Sequence, residues 1–282
     1  MSGFLLKILL VMAGGSLGAV GRYLISLGAV RLFGTGLSWG TFLANMIGCF
    51  LIGVTFALID RLPLPVSSTP GFLVNRILMP YLMEAVVLES EGVPATLIDR
   101  AATDFGMPMG PATLADLTGI DINYHVNKTF EDKLGQRYKI HPLTERIYQT
   151  GCYGRKTGAG YFDYSGDQPV PNPKVAEVVQ KYLKDTGVAP KEMSKEEITD
   201  TLLALGINEA ALMIEEGICD RPQDMDLAMI YGTGFPPYRG GILRYADKWG
   251  LKNVYDKLVD LEKRYGIRFQ PAGLIAEMAI SG

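Results

Sequence analysis

The sequence predicts a mainly α-helical protein in two parts, a two-helix membrane hairpin followed by two tandem all-helical units. Three observations lead to this fold class. All 30 acidic residues of the 282-residue chain lie at or after Asp60. Just before that point, an uncharged run of 21 residues extends over Trp39–Ile59. In the remaining chain, several short motifs occur twice at a nearly constant spacing.

Residues 1–60 are predicted to form the membrane hairpin. Ionised carboxylates are costly in lipid, which accounts for their absence before Asp60. At a rise of about 1.5 Å per residue, Trp39–Ile59 spans about 30 Å, the thickness of the hydrocarbon core of a bilayer. The stretch from Phe4 to Leu32 is also mostly apolar. It forms the second span if its internal Arg22 faces protein or water.

Two alternatives for the first segment stay open. A cleaved signal peptide would use Lys7 as its charged start and residues 8–13 as its apolar core, although a second apolar segment follows at once. The strand, glycine turn and helix of a dinucleotide-binding (Rossmann) fold would place Ala13 where the first glycine belongs. No acidic residue follows about 20 positions later to hold a ribose. We therefore predict no Rossmann domain.

Small residues on both segments allow close helix packing. The stretches GGSLGAVGRY (14–23) and GTFLANMIGCFLIG (40–53) resemble the first two membrane helices of Fluc-type fluoride channels. The resemblance implies that Asn45 faces a fluoride pore and that Arg22 is the characteristic arginine of the first helix. An amide donor suits a small hydrated anion, whereas the alternative is that Asn45 bonds a neighbouring helix. The family's last two helices have no counterpart, so residues 1–60 are expected to be a truncated channel.

The rest of the chain has the composition of a globular protein. Residues 61–282 contain 29 acidic and 24 basic side chains, which argues against nucleic acid as a partner. Asp224 and Asp226 lack further ligands at metal spacing, so we expect them to be solvated or to cap a helix, and we predict no metal site. The cysteines are too widely separated for a disulfide framework or a zinc site. They are Cys49, Cys152 and Cys219.

A repeated order of motifs follows the Pro/Ser-rich linker at residues 61–67. MEAVVLESEG and NEAALMIEEG are 125 residues apart, GMP and GFP are 128 apart, and DLTG and DKWG are 131 apart. A slowly drifting spacing is typical of a duplicated domain with small loop insertions. The sequence therefore predicts a first repeat over 68–165, a connector over 166–194 and a second repeat over 195–282.

The elements of the first repeat can be predicted in order. Apolar residues at helical spacing predict a helix over 72–89, and a second helix is predicted over 95–104. The glycines and prolines of 105–111 predict a turn, which is followed by a short helix that ends at Gly119. The sequence GRKTGAGYFDY (154–164) predicts a tight glycine turn that enters a short extended stretch.

Four motifs taken together resemble the C-terminal part of L-3-hydroxyacyl-CoA dehydrogenases. They are STPGFLVNRILMPYLMEA, GVPATLIDRAATDFGMPMGP, GRKTGAGYFDY and YGTGFPPYRGG, which belong to a region of about 68–278. The duplicated arrangement is similar to that of multifunctional fatty-acid oxidation proteins. The resemblance implies helical domains that form one wall of an acyl-CoA cleft and a dimer or pseudo-dimer interface.

The resemblance also implies one site residue. Asn75, in the VNR motif, matches the family asparagine that lies near the 3-oxygen of the substrate and assists the catalytic histidine. An amide can donate to an oxygen that gains negative charge during the reaction. The alternative is an asparagine that caps or bridges helices. Asp200 stands at the matching place in the second repeat.

The family's hydride transfer also needs NAD and a His–Glu pair on a nucleotide-binding domain. His125, expected just after a helix end, and His141, expected in a loop before a proline, lie outside that motif and are expected to be packing or surface residues. We therefore expect this chain to bind no cofactor and to be inactive alone.

Arg239 is expected to pack against the neighbouring repeat. Isolated lysines are expected to be solvated rather than bound to CoA, namely Lys128, Lys133, Lys139 and Lys156.

Three hypotheses for function follow. The chain is a dehydrogenase region that needs a nucleotide domain from elsewhere, a fluoride-channel fragment, or a non-functional chimera of two truncated genes joined near Asp60. The chimera requires the fewest assumptions, because each half lacks the part that performs its family's chemistry. Lys7 and Arg61 on one side of the hairpin, with Arg31 on the other, favour a membrane-associated chain with its soluble part in the cytoplasm. A homo-oligomer and an acyl-CoA substrate are the expected partners.

Overall fold

The structure is a computed structural model that describes residues 68–281. The chain divides between Leu64 and Pro65 into two units, and all the described residues belong to the second unit. The predicted membrane hairpin, with Asn45 and Arg22, lies outside the described residues. Within 68–281, no helix is both long enough and apolar enough to cross a membrane.

The described residues form eleven α-helices and one small sheet. The helices are α1 (Val74–Ser90), α2 (Ala95–Phe105), α3 (Pro111–Thr118), α4 (Ile120–Leu134), α5 (Pro142–Tyr148), α6 (Pro173–Thr186), α7 (Lys195–Glu215), α8 (Pro222–Thr233), α9 (Ile242–Trp249), α10 (Leu251–Tyr265) and α11 (Gly273–Ser281). Strand β1 (Phe162–Asp163) pairs antiparallel with β2 (Val170–Pro171), with Phe162 opposite Pro171. The mainly helical prediction is confirmed for this region.

The predicted first helix is confirmed as α1, but it begins two residues later than expected. Gly71 and Phe72 have positive φ angles of 81° and 49°, so neither is helical. They belong to a turn in which the Phe72 amide donates to the Thr69 carbonyl at 3.0 Å. A Cβ at Gly71 would lie 2.5 Å from the Phe130 ring, so this turn packs too closely for any other residue.

The same order of helices occurs on both sides of α6. Helices α1–α5 and α7–α11 each have a 3₁₀ turn before the last helix, at Gln136–Tyr138 and at Ile267–Phe269. Helices α3 and α9 both have 8 residues, and α4 and α10 both have 15. The glycines at the helix junctions also match, with φ of 101° at Gly119 and 91° at Gly250.

Two aspartates, Asp99 and Asp226, make the same contact in the two halves. Asp99 accepts hydrogen bonds from two amides at the start of α3, at 2.7 and 3.0 Å. Asp226 accepts them from two amides at the start of α9, at 2.7 and 3.3 Å. Each carboxylate thus satisfies free N–H groups at a helix N-terminus. The prediction that Asp226 caps a helix is confirmed.

Helices α1 and α7 form the centre of the fold. They pack against each other, and they also cross between the halves, with α7 against α2 and α1 against α8. The middle of α7 is buried on all sides, since every residue from Thr201 to Ala211 is buried. Its polar Thr201, Asn208 and Glu209 are all hydrogen-bonded there, as buried polar groups require.

The predicted glycine turn at 154–164 folds around Asp116. The buried Asp116 carboxylate accepts the amides of Tyr161 and Phe162 at 2.8 and 2.9 Å, and the Tyr164 hydroxyl at 2.9 Å. Gly154 has a φ of 95°, and a Cβ there would lie 2.2 Å from the Asp116 carbonyl oxygen. Only glycine fits at this position.

We expect Gly154→Ala to destabilise the protein more than Gly158→Ala. Gly158 has the left-handed angles φ 77° and ψ −9°, where alanine costs about 1 kcal/mol, whereas Gly154, at φ 95° and ψ −154°, lies in a region that is essentially restricted to glycine. Nothing lies within 4 Å of a Cβ at Gly158, whereas the clash at Gly154 adds about 1–3 kcal/mol. Urea unfolding of the two variants measures the difference. Equal losses would contradict the close contact with Asp116.

Candidate functional site

Asn75 lies in the first turn of α1, and it is exposed. The turn before it contains Phe72, the sole non-glycine with positive φ in the described part of the chain. Such backbone strain persists only where the surrounding structure holds it, and it is frequent near functional sites. Asn75 therefore presents its amide to solvent from a tightly constrained helix start.

The next residue, Arg76, is buried and fixes this helix start to the second half. Its Nε donates to Glu209 Oε1 at 2.7 Å and to the Tyr138 hydroxyl at 3.1 Å. Its Nη2 lies 3.0 and 2.9 Å from the two carboxylate oxygens of Glu216. The Tyr138 hydroxyl also donates a short hydrogen bond to Glu209. Charge-assisted hydrogen bonds of this kind are stronger and more directional than neutral ones.

Arg76 carries its charge in this buried position. Burial lowers the pKa of the guanidinium, but the neighbouring Tyr138 and Glu209 raise its pKa overall above the ordinary value. Because Glu209 is itself buried, each charge depends on the other for compensation. The ion pair joins α1 to α7 one residue after Asn75, and this contact orients the first turn of α1.

A second ion pair crosses between the halves in the opposite direction. Arg268, in the second half, donates to the buried Glu84 of α1 at 2.8 Å through Nε. Its Nη1 donates to the Tyr265 carbonyl at 2.8 Å. Glu84 and Glu209 are 125 residues apart and occupy the same place in the two matching motifs. The two halves thus each contribute a buried glutamate to an arginine of the other.

We expect Glu84 to make stability fall as the pH rises. Burial raises the pKa of Glu84 from its ordinary 4.5 to about 7, although Arg268 opposes this. Between these values the folded chain holds a proton that the unfolded chain has lost, so stability declines from about pH 4.5 to about pH 7. The free energies of unfolding of the wild type and Glu84→Gln are measured across this range, and the value for the variant is subtracted from that for the wild type. We expect this difference to fall as the pH rises, and a difference that rises would contradict the prediction.

A cavity of about 410 Å³ lies between the 3₁₀ turns of the two halves and the central helices. Its wall combines the carboxylates of Glu84 and Glu209 with Arg268 and the side chains of Arg137 and Lys139. Arg137 and Arg268 are 131 residues apart and take the same place in the two turns. No local pattern marks either arginine in the sequence, although the spacings of the repeated motifs contain the signal that pairs them.

The two histidines have structural contacts. His125 is inside α4 rather than after a helix end as predicted, because Gly119 alone separates α3 from α4. It is exposed and makes edge contacts with Tyr124 and Tyr148. His141 caps α5 and accepts the Leu143 amide, and burial lowers its pKa to about 4. Neither histidine bonds a carboxylate within residues 68–281.

The other candidate residues have structural contacts. Arg239 Nε donates to the Phe105 carbonyl at 3.1 Å, and its Cζ lies 3.9 Å from the centre of the Phe105 ring, which confirms the packing of Arg239 between the halves. Asp200 is half-buried in α7. Asp224 lies in the first turn of α8, 3.8 Å from Arg221. No group of three or more metal-ligating side chains occurs in the described residues.

The four lysines that were expected to be solvated differ from one another in what they contact. Lys156 forms an ion pair with Asp121 at 2.5 Å. Lys128 lies 5.6 Å from the centre of the Tyr124 ring. Lys133 is exposed on α4, whereas Lys139 lines the cavity between the halves.

Comparison with solved structures identifies the class of fold. The chain resembles crystal structures of 3-hydroxybutyryl-CoA dehydrogenase from Escherichia coli, with a TM-score of 0.64, and of the dehydrogenase part of multifunctional enzyme 1 from C. elegans, with a TM-score of 0.60. Each is 23% identical to it. The likeness covers 79% and 80% of this chain, and 62% and 53% of those chains. At this identity it establishes the helical fold.

The sequence identifies the family. The family model described as "3-hydroxyacyl-CoA dehydrogenase, C-terminal domain" matches residues 71–164 and 198–282, and the chain belongs to this family. It is 36% identical to the peroxisomal fatty acid beta-oxidation multifunctional protein AIM1 of Arabidopsis thaliana and 37% identical to the fatty acid oxidation complex subunit alpha of Shewanella amazonensis. Each match covers 79% of this chain but 32% and 31% of those proteins, so the chain spans about a third of their length.

A second family model, "CrcB-like protein, Camphor Resistance (CrcB)", matches residues 9–88. This match supports the resemblance of the first segment to a fluoride channel. It extends beyond Asp60, where the sequence predicted the end of the channel-like part, and it overlaps the dehydrogenase match over 71–88. Helix α1 lies in the overlap, and its largely apolar sequence is compatible with both models.

Proposed function

We propose that residues 68–282 form the substrate-cleft and dimerisation region of a 3-hydroxyacyl-CoA dehydrogenase of fatty-acid β-oxidation, inactive without a nucleotide-binding domain. The family membership supports the reaction class. The observation that carries the proposal is the exposed Asn75 on a helix start that the buried Arg76 holds in place. Positioning of this kind is what a substrate-contacting residue requires.

In this proposal, the Asn75 amide donates to the 3-oxygen of the acyl-CoA. That oxygen gains negative charge as the carbonyl is reduced, and a fixed donor stabilises it. NAD, when bound, supplies the hydride chemistry. We expect another domain to hold it, because the described residues contain one two-stranded antiparallel sheet and no parallel sheet of the dinucleotide-binding kind.

We further propose that the two halves are repeats of one domain, over 68–165 and 195–282, joined by a connector over 166–194. The repeated helix order, the matched aspartate caps and the crossed ion pairs support this arrangement. The contact between α1 and α7 then takes the place of a dimer interface within one chain. Any homo-oligomer would use other surfaces.

Reconstitution of the dehydrogenase tests the proposal. The full-length chain in detergent should not oxidise NADH with acetoacetyl-CoA, whereas addition of a nucleotide-binding domain from a fatty acid oxidation complex subunit alpha should give turnover. Asn75→Ala should lower that turnover about 100-fold, as loss of an oxyanion donor does. Asn253→Ala, at another exposed asparagine, is the matched control. Turnover by the chain alone, or equal turnover of the two variants, would contradict the proposal.

A fluoride-channel fragment is the second candidate, and the match over 9–88 favours it. In this case residues 1–60 associate with the membrane, the remainder is cytoplasmic, and Asn45 faces the pore. Fluoride efflux from liposomes that contain the full-length chain tests conduction, with Asn45→Ala as the comparison. We expect no efflux, because a pair of helices supplies about half of a channel subunit.

A chimera of two truncated genes is the third candidate, since two unrelated family models match one chain. Sequencing of one uninterrupted DNA molecule across codons 55–75 tests it. A continuous reading frame in the source organism would exclude an assembly origin.

A further inference from the structure

We propose that a pocket beside α6 binds a small, uncharged, apolar molecule. The pocket has a volume of about 200 Å³ and lies between the loop that joins α1 to α2, the end of the glycine turn, and α6. It meets α1 at Glu89, which is 14 residues after Asn75 and so about 21 Å further along the helix. The pocket is therefore separate from the proposed substrate site, and the proposal does not depend on the dehydrogenase function.

The first observation is the chemistry of the pocket walls. Most of the lining side chains are aliphatic, namely Val93, Pro94, Val175, Ala176, Val179 and Leu183. Water occupies an apolar space poorly, and an engineered apolar cavity of about 150 Å³ in another protein binds benzene instead. By that comparison, this pocket accommodates a molecule of about six to eight carbon atoms.

The second observation is that the polar groups of the walls already have partners. Asn172 Nδ2 donates to the Gly160 carbonyl at 2.7 Å, and Asn172 Oδ1 accepts the Lys174 amide at 3.0 Å. Thr96 and Gln180 are exposed, so water can bond them. A ligand therefore needs no polar group of its own to satisfy the walls.

The third observation is the absence of a charged partner for a ligand. No basic side chain lines this pocket. Burial and the nearby Asp99 hold the pKa of Glu89 well above its ordinary value, which favours the uncharged carboxyl. The Tyr161 hydroxyl bonds Glu89, and Glu89 Oε2 is shielded from solvent, so a ligand in the pocket does not reach that oxygen. These surroundings favour an uncharged ligand over an anion or a cation.

The fourth observation is that hydrogen bonds hold the walls in place. The glycine turn is bonded to Asp116 through the amides of Tyr161 and Phe162, and Asn172 joins this turn to the start of α6. On the opposite side, the chain that follows α6 is bonded to the end of α1 at 2.8 Å, from an amide to the Glu91 carbonyl. The pocket is therefore preformed, and a ligand loses little affinity to the ordering of its walls.

Nuclear magnetic resonance of the full-length chain in detergent, with labelled valine methyl groups, tests the site. Titration with benzene should give saturable shifts at Val93, Val175 and Val179, which line the pocket. The exposed Val170 and Val188 lie outside the pocket and should show no saturable change, so they report any effect of benzene on the detergent.

A pair of matched variants tests the position of the ligand. Ala176→Leu should weaken benzene binding about tenfold or more, because the larger side chain takes up part of the pocket. Ala189→Leu adds the same side chain outside the pocket and should leave the affinity unchanged. Both alanines are exposed, so we expect both variants to fold.

Three results would overturn the proposal. The first is the absence of saturable shifts at the three pocket valines of the wild-type chain. The second is equal benzene affinity of the wild type and Ala176→Leu. The third is equal binding of benzylammonium at the same free concentration, which would show that the pocket does not select an uncharged ligand.

Discussion

Replacement of Arg76 by methionine is expected to lower the free energy of unfolding by about 3–5 kcal/mol, the usual cost of breaking a buried ion pair by removing one partner. Glu209 would remain buried without its main cation, and Tyr138 would lose one of its hydrogen bonds. Glu216 is partly exposed, so water would replace most of its contact. The loss therefore arises chiefly from the stranded charge of Glu209.

Arg146→Met is the matched control for this prediction. Arg146 also forms an ion pair, with Asp185 at 2.7 Å, but both side chains are substantially exposed. Such pairs contribute about 0–1 kcal/mol, so the control should unfold close to the wild type. Chemical denaturation of the two variants gives the comparison. Adding Glu209→Gln to Arg76→Met should recover part of the stability, and an unchanged double variant would show that the loss has another source.

The second large effect is expected for Asp116→Ala, which should destabilise the protein by about 3 kcal/mol or more, because two backbone amides and one hydroxyl lose their acceptor. The glycine turn at 154–164 would lose the group around which it folds. Thermal unfolding should therefore show a large decrease in melting temperature. Limited proteolysis should show faster cleavage within the turn.

Asp163→Ala is the control in the same turn. Its exposed carboxylate accepts one amide, from Ser165 at 2.8 Å, and water can replace it when the side chain is removed. We expect a much smaller loss of stability than for Asp116. Comparable losses for the two variants would mean that Asp116 is not the organising group of the turn.

The local structure of the chain was largely predictable from its sequence. Apolar spacing located α1, and the glycines at 105–111 and 154–164 located the turns. The start of α1 was misplaced because Phe72, whose apolar side chain fits the helical pattern, has a positive φ in the turn that follows Gly71. His125 was misplaced because a single glycine, Gly119, separates two helices.

The contacts that hold the candidate site were not predictable in the same way. Arg76 bonds Glu209 and Glu216, which are 133 and 140 residues away. No local pattern distinguishes it from an exposed helical arginine. The spacings of the repeated motifs did identify equivalent residues. A spacing of 125 residues relates Glu84 to Glu209, and a spacing of 131 residues relates Arg137 to Arg268. Sequence comparison within the chain therefore finds equivalent residues, but only the fold shows which partners they bind.

The crossed ion pairs are unequal, because only one of the two central helices carries its own arginine at this contact. The position equivalent to Arg76 is Thr201, which donates to the Glu197 carbonyl and cannot hold a carboxylate. In two copies of the second half, each Glu209 would meet the Arg268 of the other copy, as Glu84 does in this chain, but it would have no counterpart of Arg76. A chain cut between 166 and 194 should reassemble from its two fragments, because each buried glutamate is paired with an arginine of the other half.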